Sequence, residues 1–139
     1  VQENISQESD LEIIREGMKL ACETGGTGYP LFNFQVRQDR IKIDNLNYTE
    51  VSTVAAYLNS TDSAKMNKAK AVGVTTGCKT GTAEAHGIGE PDPHAWFTVF
   101  APFYDPEIVV TVLVENGGQG SEIAAPIARD ILREYFEKK

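Results

Sequence analysis

The chain has 139 residues, which suits one domain with its own core and is too short for two. Hydrophobic residues make up 41% and charged residues 24%, proportions that indicate a folded rather than a disordered chain. The formal net charge of -7 argues against a general affinity for nucleic acid, because phosphate binding needs clustered Lys and Arg.

The sequence predicts no membrane span, metal centre or cofactor site. Its longest apolar run, Ile108 to Val114, is much shorter than the roughly 20 residues that cross a bilayer. No His, Cys or carboxylate residues have metal-ligand spacing, so we expect neither metal nor cofactor. Cys22 and Cys78, the two cysteines, are far apart in sequence, and we expect both to be buried free thiols. Because the first residue is Val1 rather than Met, we expect the chain to be a piece of a longer protein.

The first predicted element is an amphipathic helix in SDLEIIREGMKLACETGG. Ser9 and Glu12 fit a capping box, in which each side chain satisfies a backbone N–H at the helix start. Gly25 and Gly26 then end the helix. The apolar residues that share one face at helical spacing are Leu11, Ile14, Met18 and Ala21.

The middle of the chain is less regular. The residues from Tyr29 to Phe32 predict an extended segment or a turn, since a residue before proline avoids the helical region. Val51 to Leu58 predicts a short helix, and the polar, lysine-containing stretch from Ser60 to Lys70 predicts a solvated loop.

The last half predicts an antiparallel meander and a helix, which together make an α+β fold. The predicted strands are Ala71 to Thr76, which runs into GCKTGTAE, then Ala95 to Ala101, and Ile108 to Glu115. The continuous aliphatic run of the last strand predicts burial on both faces. A helix from Glu122 to Phe136 should pack across the sheet through Ile123, Ile127, Ile131, Leu132, Tyr135 and Phe136.

The stretch from Lys79 to Thr82 carries candidate chemistry. Alternation along a strand would send Lys79 and Gly81 to one face, and Thr80 and Thr82 to the other. The lysine charge could then hold a carboxylate, while the missing side chain of Gly81 lets a ligand approach the backbone. A backbone N–H at a strand edge could serve as half of an oxyanion hole. For a bare Lys-Thr-Gly tripeptide, however, a solvated strand end is the better interpretation.

The surrounding residues favour the functional interpretation. KTGTAE, from Lys79 to Glu84, is similar to the K-T-G motif of penicillin-binding proteins and serine β-lactamases. The order and spacing of further stretches resemble the transpeptidase domain of class B penicillin-binding proteins, from about Glu12 to Phe136. These stretches are Arg15 to Met18, Gly26 to Gly28, His94 to Phe97, Ala101-Pro102, Val114 to Gly118 and Ala125-Pro126.

The resemblance implies an antiparallel sheet with helices on both faces and a serine acyl-transfer reaction. Lys79 and the hydroxyls of Thr80 and Thr82 would bind the carboxylate of a peptidoglycan stem peptide or of a β-lactam. Gly81 would make room for the substrate beside the lysine, and the Thr82 N–H would contribute to the oxyanion hole. The same resemblance implies an extracytoplasmic location, at the periplasmic or outer face of the bacterial membrane. Residues 1–139 would be the C-terminal portion of one transpeptidase domain, and the upstream portion would be its partner.

Two departures from the family pattern qualify this expectation. Cys78 stands where the family usually has glycine; we expect a small buried residue there, although a thiol activated by Lys79 is an alternative. No S-x-x-K and no S-x-N occurs in the 139 residues, so the nucleophile must lie upstream and the chain alone should be inactive. A serine β-lactamase or D,D-carboxypeptidase shares the motif, and a non-catalytic binding module of the same fold is a further alternative.

Other residues have weaker functional arguments. His94 could be a catalytic base, but a structural loop histidine is the better interpretation, and His86 is expected to be exposed. Trp96 and Phe97 alternate across a strand, so one should face the core and the other the opposite side. Glu84 could close a cleft rim or be a solvated charge.

Overall fold

A computed structural model describes residues 7–37, 71–84 and 92–138. Two helices, α1 and α2, span Glu8–Cys22 and Ala125–Lys138. The strands are β1 (Gln35–Arg37), β2 (Ala71–Gly73), β3 (Gly77–Ala83), β4 (His94–Ala101) and β5 (Ile108–Val114). A 3₁₀ turn covers Tyr29–Leu31, and a π-helical turn at Gly120–Ala124 leads into α2. The helix predicted at Val51 to Leu58, the loop predicted at Ser60 to Lys70, and His86 lie outside the described residues.

Helix α1 begins earlier than the sequence predicts. The backbone N–H of Gln7 donates to the Asp10 carboxylate at 3.3 Å, so the capping interaction joins these residues and not Ser9 and Glu12. The predicted box is wrong because the chain is already helical at Glu8, which places Ser9 inside the first turn. The apolar face of α1 is also largely uncovered within the described structure, since Leu11 is 49% exposed.

The predicted meander is confirmed, but one predicted strand is divided between two sheets. β3, β4 and β5 form a three-stranded antiparallel sheet in that order. β2 ends at Gly73 and pairs instead with β1 in a separate two-stranded sheet. The Val74 N–H then donates to the Phe34 carbonyl at 2.9 Å, after which the chain enters β3. The continuous strand predicted from Ala71 is therefore wrong.

Both described helices cover the same face of the three-stranded sheet. Phe97 and Val99 of β4 are fully buried there, and Leu132 and Phe136 of α2 pack into the same core. Pro126 lies in the first turn of α2, as predicted. The predicted packing face of α2 is only partly correct, because Ile123, Ile127 and Ile131 are 41–44% exposed, while Ala125 and Ala128 are buried.

The opposite face of this sheet is open in the described structure. Trp96, Val109 and Leu113 are 39%, 67% and 43% exposed on it. The predicted burial of β5 on both faces is therefore wrong. Within the described residues, helices cover one face of the sheet, whereas the family resemblance implies helices on both faces. The α+β class with helices flanking an antiparallel sheet is confirmed. No helix in the described ranges has the length and apolarity needed to span a bilayer.

Candidate functional site

Strand β3 positions all four predicted site residues by its register with β4. Lys79 lies opposite Thr98, and Gly81 lies opposite Trp96, which places Lys79 and Gly81 on the open face. Thr80 and Thr82 lie opposite the buried residues Phe97 and Ala95 and so belong to the face that carries the core. The predicted alternation therefore holds. Among the described residues, only β4 pairs with β3, which leaves the other edge of β3 without a strand partner.

The Lys79 side chain is exposed and lies along its own strand. Its Nζ donates to the Thr80 carbonyl oxygen at 2.6 Å. An ammonium has three N–H donors, so this contact leaves donors for an anionic ligand. The charge is thus placed at the boundary between the open face and the unpartnered edge of β3.

Two glycines allow close packing around the middle of β3. A Cβ on Gly81 would lie 3.0 Å from the Trp96 Cβ, so a side chain here would press on the neighbouring strand. Gly120 packs on the sheet backbone, where a Cβ would lie 2.7 Å from the Gly81 carbonyl oxygen and would also meet the Trp96 carbonyl. The π-helical turn thereby supports the strand backbone beside the motif.

Thr27 contacts the predicted site residue Thr80, a contact that the sequence does not predict. The Thr80 hydroxyl donates to the Thr27 hydroxyl with an Oγ1–Oγ1 distance of 3.0 Å, across 53 residues of sequence. Thr27 lies in the glycine-rich turn after α1. In the sequence, the stretch from Gly26 to Gly28 is only part of the family resemblance, because a single threonine in a turn carries no signal for its partner.

Cys22 and Cys78 form a disulfide, so the prediction of two free thiols is wrong. Their Cα atoms are 5.8 Å apart, within the usual range for a disulfide, and both residues are buried. Sequence separation misled the prediction, because the end of α1 folds back onto β3. The alternative of a Cys78 thiol activated by Lys79 is also wrong, since a disulfide sulfur does not titrate. One signal in the sequence points to this disulfide: Cys78 stands in the motif where the family usually has glycine, and the chain has one other cysteine that could bond to it.

Cations of α1 bind the turn between β4 and β5. Arg15 donates from Nη2 to the Phe103 carbonyl at 2.8 Å, and its guanidinium lies 5.4 Å from the Phe103 ring centroid. The Lys19 ammonium donates to the Tyr104 hydroxyl at 3.3 Å, and this bond raises the pKa of Lys19 more than burial lowers it. These contacts hold α1 against the end of the sheet where β3 begins, since the Phe103 N–H donates to the Thr75 carbonyl there.

The remaining predicted candidates lie outside this constellation. His94 accepts the backbone N–H of Asn116 on Nδ1 at 2.9 Å, which fits the structural interpretation of this histidine. Phe97 faces the core and Trp96 the open face, as the alternation predicts. Glu84 is exposed just after β3. Within residues 7–37, 71–84 and 92–138, no group of His, Cys, Asp and Glu side chains could hold a metal ion.

Comparisons with known proteins agree with this architecture. The chain is 38% identical over 73 residues to peptidoglycan D,D-transpeptidase MrdA of Haemophilus influenzae, covering 44% of this chain and 11% of that protein. It is 40% identical over 85 residues to peptidoglycan D,D-transpeptidase PbpA of Mycolicibacterium smegmatis, covering 56% of this chain and 17% of that protein. The chain thus matches only a small part of the length of these curated relatives.

A solved structure and a family model extend the similarity to nearly the whole chain. A penicillin-binding protein of Helicobacter pylori, PBP2, has a similar fold with a TM-score of 0.55 at 24% identity, covering 97% of this chain and 18% of that one. The model of the penicillin binding protein transpeptidase domain matches residues 11–133. The chain belongs to the penicillin-binding protein transpeptidase domain family.

Proposed function

We propose that this chain provides the carboxylate-binding wall of a serine D,D-transpeptidase that cross-links peptidoglycan. The observation that carries the proposal is the placement of Lys79, whose exposed ammonium lies on the open face of β3 beside Gly81. The relatives' description as peptidoglycan D,D-transpeptidases supports the reaction class. The substrate is then the D-Ala-D-Ala end of a stem peptide, and a β-lactam binds as its mimic.

Lys79 and the edge of β3 have complementary tasks in this proposal. The ammonium attracts the terminal carboxylate, while the unpartnered strand edge offers N–H and C=O groups to an extended peptide backbone. Gly81 leaves the backbone open on the same face as Lys79. Thr80 projects from the opposite face of β3, and in this proposal its hydroxyl reaches the carboxylate at the unpartnered edge of the strand.

The backbone N–H of Thr82 is the proposed contribution to the oxyanion hole. Attack of a serine Oγ on the scissile carbonyl forms a tetrahedral intermediate with negative charge on its oxygen, and a fixed N–H donor stabilises that charge. D-Ala leaves, and an amine of a second stem peptide then takes the acyl group from the serine. The support of Gly81 by Gly120 and the pairing of Thr82 with Ala95 favour a rigid strand at this position.

The nucleophile must come from residues outside these 139, because the chain contains no S-x-x-K. We propose that a preceding segment carries it and covers the open face around Trp96. The Cys22–Cys78 disulfide supports an extracytoplasmic location, because disulfides persist in oxidising compartments.

Covalent labelling with a fluorescent penicillin tests the proposal. The natural protein that carries this sequence should become labelled at a serine outside the 139 residues, and the isolated chain should not. Labelling of the isolated chain would contradict the missing nucleophile. No labelling of the natural protein, together with no S-x-x-K upstream in its reading frame, would favour a non-catalytic module; hydrolysis of the penicillin with rapid turnover would favour a β-lactamase.

A further inference from the structure

The hydroxyl pair formed by Thr27 and Thr80 joins the glycine-rich turn after α1 to strand β3. Thr80 lies between Lys79 and Gly81 on β3, and Thr27 is an exposed residue of the glycine-rich turn after α1. A threonine side chain rotates among staggered rotamers, and a hydroxyl partner selects one of them. The Thr27 hydroxyl therefore sets the direction in which the Thr80 oxygen points.

The turn that carries Thr27 is held tightly in place. Gly28 is buried, and its N–H donates to the Ala21 carbonyl at 2.7 Å. A Cβ on Gly28 would lie 2.9 Å from that carbonyl oxygen and would also meet the Cys78 sulfur. A Cβ on Gly26 would meet the backbone carbonyls that end α1. Larger residues therefore cannot stand on either side of Thr27 without moving the turn.

The disulfide fixes the same turn to β3. It joins the last residue of α1, Cys22, to Cys78, which directly precedes Lys79. The turn from residue 23 to residue 28 thus begins at a covalent link to β3, and it packs against the sulfur of that link at Gly28. Thr27 reaches Thr80 because the end of α1 and β3 cannot separate.

We propose that Thr27 is a positioning residue for the carboxylate-binding strand, acting through the Thr80 hydroxyl and held in place by the Cys22–Cys78 disulfide. The inference deepens the proposed function and rests on it for its effect on ligand binding. Its structural half, the control of Thr80 by Thr27, stands on the contacts alone. Loss of the Thr27 hydroxyl should weaken formation of the first, noncovalent complex with a penicillin and leave the following acylation step nearly unchanged.

The structural half is measured by NMR of threonine methyl groups in the natural protein that carries this sequence. Thr27→Val, which keeps the shape and removes the hydroxyl, should shift the Thr80 methyl resonance towards an average of rotamers, and Thr27→Ser should restore it. Thr111→Val is the matched control, since it breaks a comparable hydroxyl pair with Thr98 at 3.0 Å elsewhere in the sheet and should leave Thr80 unchanged. An unchanged Thr80 resonance in Thr27→Val would overturn the proposal.

The functional half is measured by rapid kinetics of penicillin acylation. Thr27→Val should raise the dissociation constant of the noncovalent complex by about fivefold to tenfold, the effect of one hydrogen bond, and Thr27→Ser should return it to within about twofold. In a Thr80→Val background, Thr27→Val should have no further effect, because its only route is through Thr80. A further loss in that background would show a general structural role and overturn the proposal.

Reduction of the disulfide provides an independent comparison. A dithiol reductant donates two electrons and two protons to the Cys22–Cys78 bond, which leaves both residues as thiols, and is itself oxidised to a disulfide. According to the proposal, the reduced wild type should bind penicillin noncovalently with the weaker affinity of Thr27→Val. Reduction should not change the affinity of Thr27→Val itself. If the natural protein reacts with no penicillin, the proposed function fails, while the Thr80 methyl resonance still decides whether Thr27 positions Thr80.

Discussion

At the scale of single residues, three lysines of this chain differ in what surrounds them. Lys79 projects from a strand that has an unpartnered edge. In the described structure, its ammonium donates to the Thr80 carbonyl of the same strand. Lys19 is held by Tyr104 and by the Phe103 ring, and Lys138 pairs with Glu134 on the surface of α2. The charge is the same in all three, so its neighbours decide whether it binds a ligand or stabilises the fold.

Replacement of Lys79 should therefore impair acylation specifically. Lys79→Ala in the natural protein should lower the second-order rate constant for penicillin acylation by about 100-fold, comparable with the loss of one electrostatic contact in an acyl-transfer site. Lys138→Ala removes an equal charge and should leave the rate constant unchanged. A rate constant for Lys79→Ala equal to the wild-type value would exclude Lys79 from the site.

Lys19 should instead contribute stability that depends on pH. The Tyr104 hydrogen bond raises its pKa above 10.5, and the Glu16 carboxylate at 3.7 Å acts in the same direction. A raised pKa in the folded state means that the contribution is complete below the unfolded-state pKa of about 10.4 and is lost as the pH rises through the folded-state pKa.

Chemical unfolding of wild type and Lys19→Met measures this contribution. The wild type should be more stable by about 0.5–1 kcal/mol near neutral pH, the range for a cation over an aromatic ring, and the difference should shrink above about pH 10.4. The stability difference between wild type and Leu132→Ala, which involves no charge, serves as the control and should not change over the same range. A Lys19→Met difference that persists at high pH would contradict the assignment.

At the scale of secondary-structure elements, the position of β3 depends on what packs against each side of it. β4 pairs with one edge of β3, the disulfide attaches α1 to β3, and the π-helical turn lies against Gly81. The motif strand is therefore supported from several directions, although its outer edge has no strand partner in the described structure.

Removal of the disulfide should cost considerable stability. It links residues separated by 56 positions, and a link of this kind restricts the unfolded chain. The double variant Cys22→Ser, Cys78→Ser should lose about 2–4 kcal/mol of unfolding free energy relative to the oxidised wild type. A reductant should destabilise the wild type and leave the double variant unaffected; equal effects on both proteins would show that another group responds.

Helix α2 offers a direct comparison of two neighbouring side chains. Leu132 is fully buried against the sheet, while the adjacent Ile131 is 44% exposed. Leu132→Ala should cost about 2–5 kcal/mol, because it removes apolar contacts and leaves a cavity, and Ile131→Ala should cost less than about 1 kcal/mol. Denaturant unfolding of the two variants measures both values. Similar costs would mean that α2 packs through a different face.

At the scale of the whole molecule, the described structure has one covered and one open face. The core joins α1, α2 and one side of the sheet, while the other side presents Trp96, Val109 and Leu113 to solvent next to Lys79. A soluble protein rarely leaves a large contiguous apolar surface uncovered. This supports the proposal that a further segment packs there and completes the cleft.

Trp96 can report on that packing, since it is the single tryptophan of the 139 residues. With fluorotryptophan incorporated into the chain, its fluorine resonance should respond to a water-soluble paramagnetic agent in the isolated chain and become protected once the upstream segment is added. Phe97→Leu lies on the covered face and should not alter this protection. A resonance that stays accessible with the segment bound would mean that the open face is not its docking surface.

The sequence by itself determined the local elements and the identity of the motif. Helical spacing and alternation predicted α1, α2 and the β3–β5 meander, and the strand period placed Lys79 and Thr80 on opposite faces, because these patterns depend on neighbours a few residues away. Only the tertiary structure decided the Cys22–Cys78 disulfide, the contact between Thr27 and Thr80, the assignment of β2 to another sheet and the exposure of Ile127 and Ile131. Each of these depends on which distant segments meet in space, and a pattern confined to one segment contains no information about its partner.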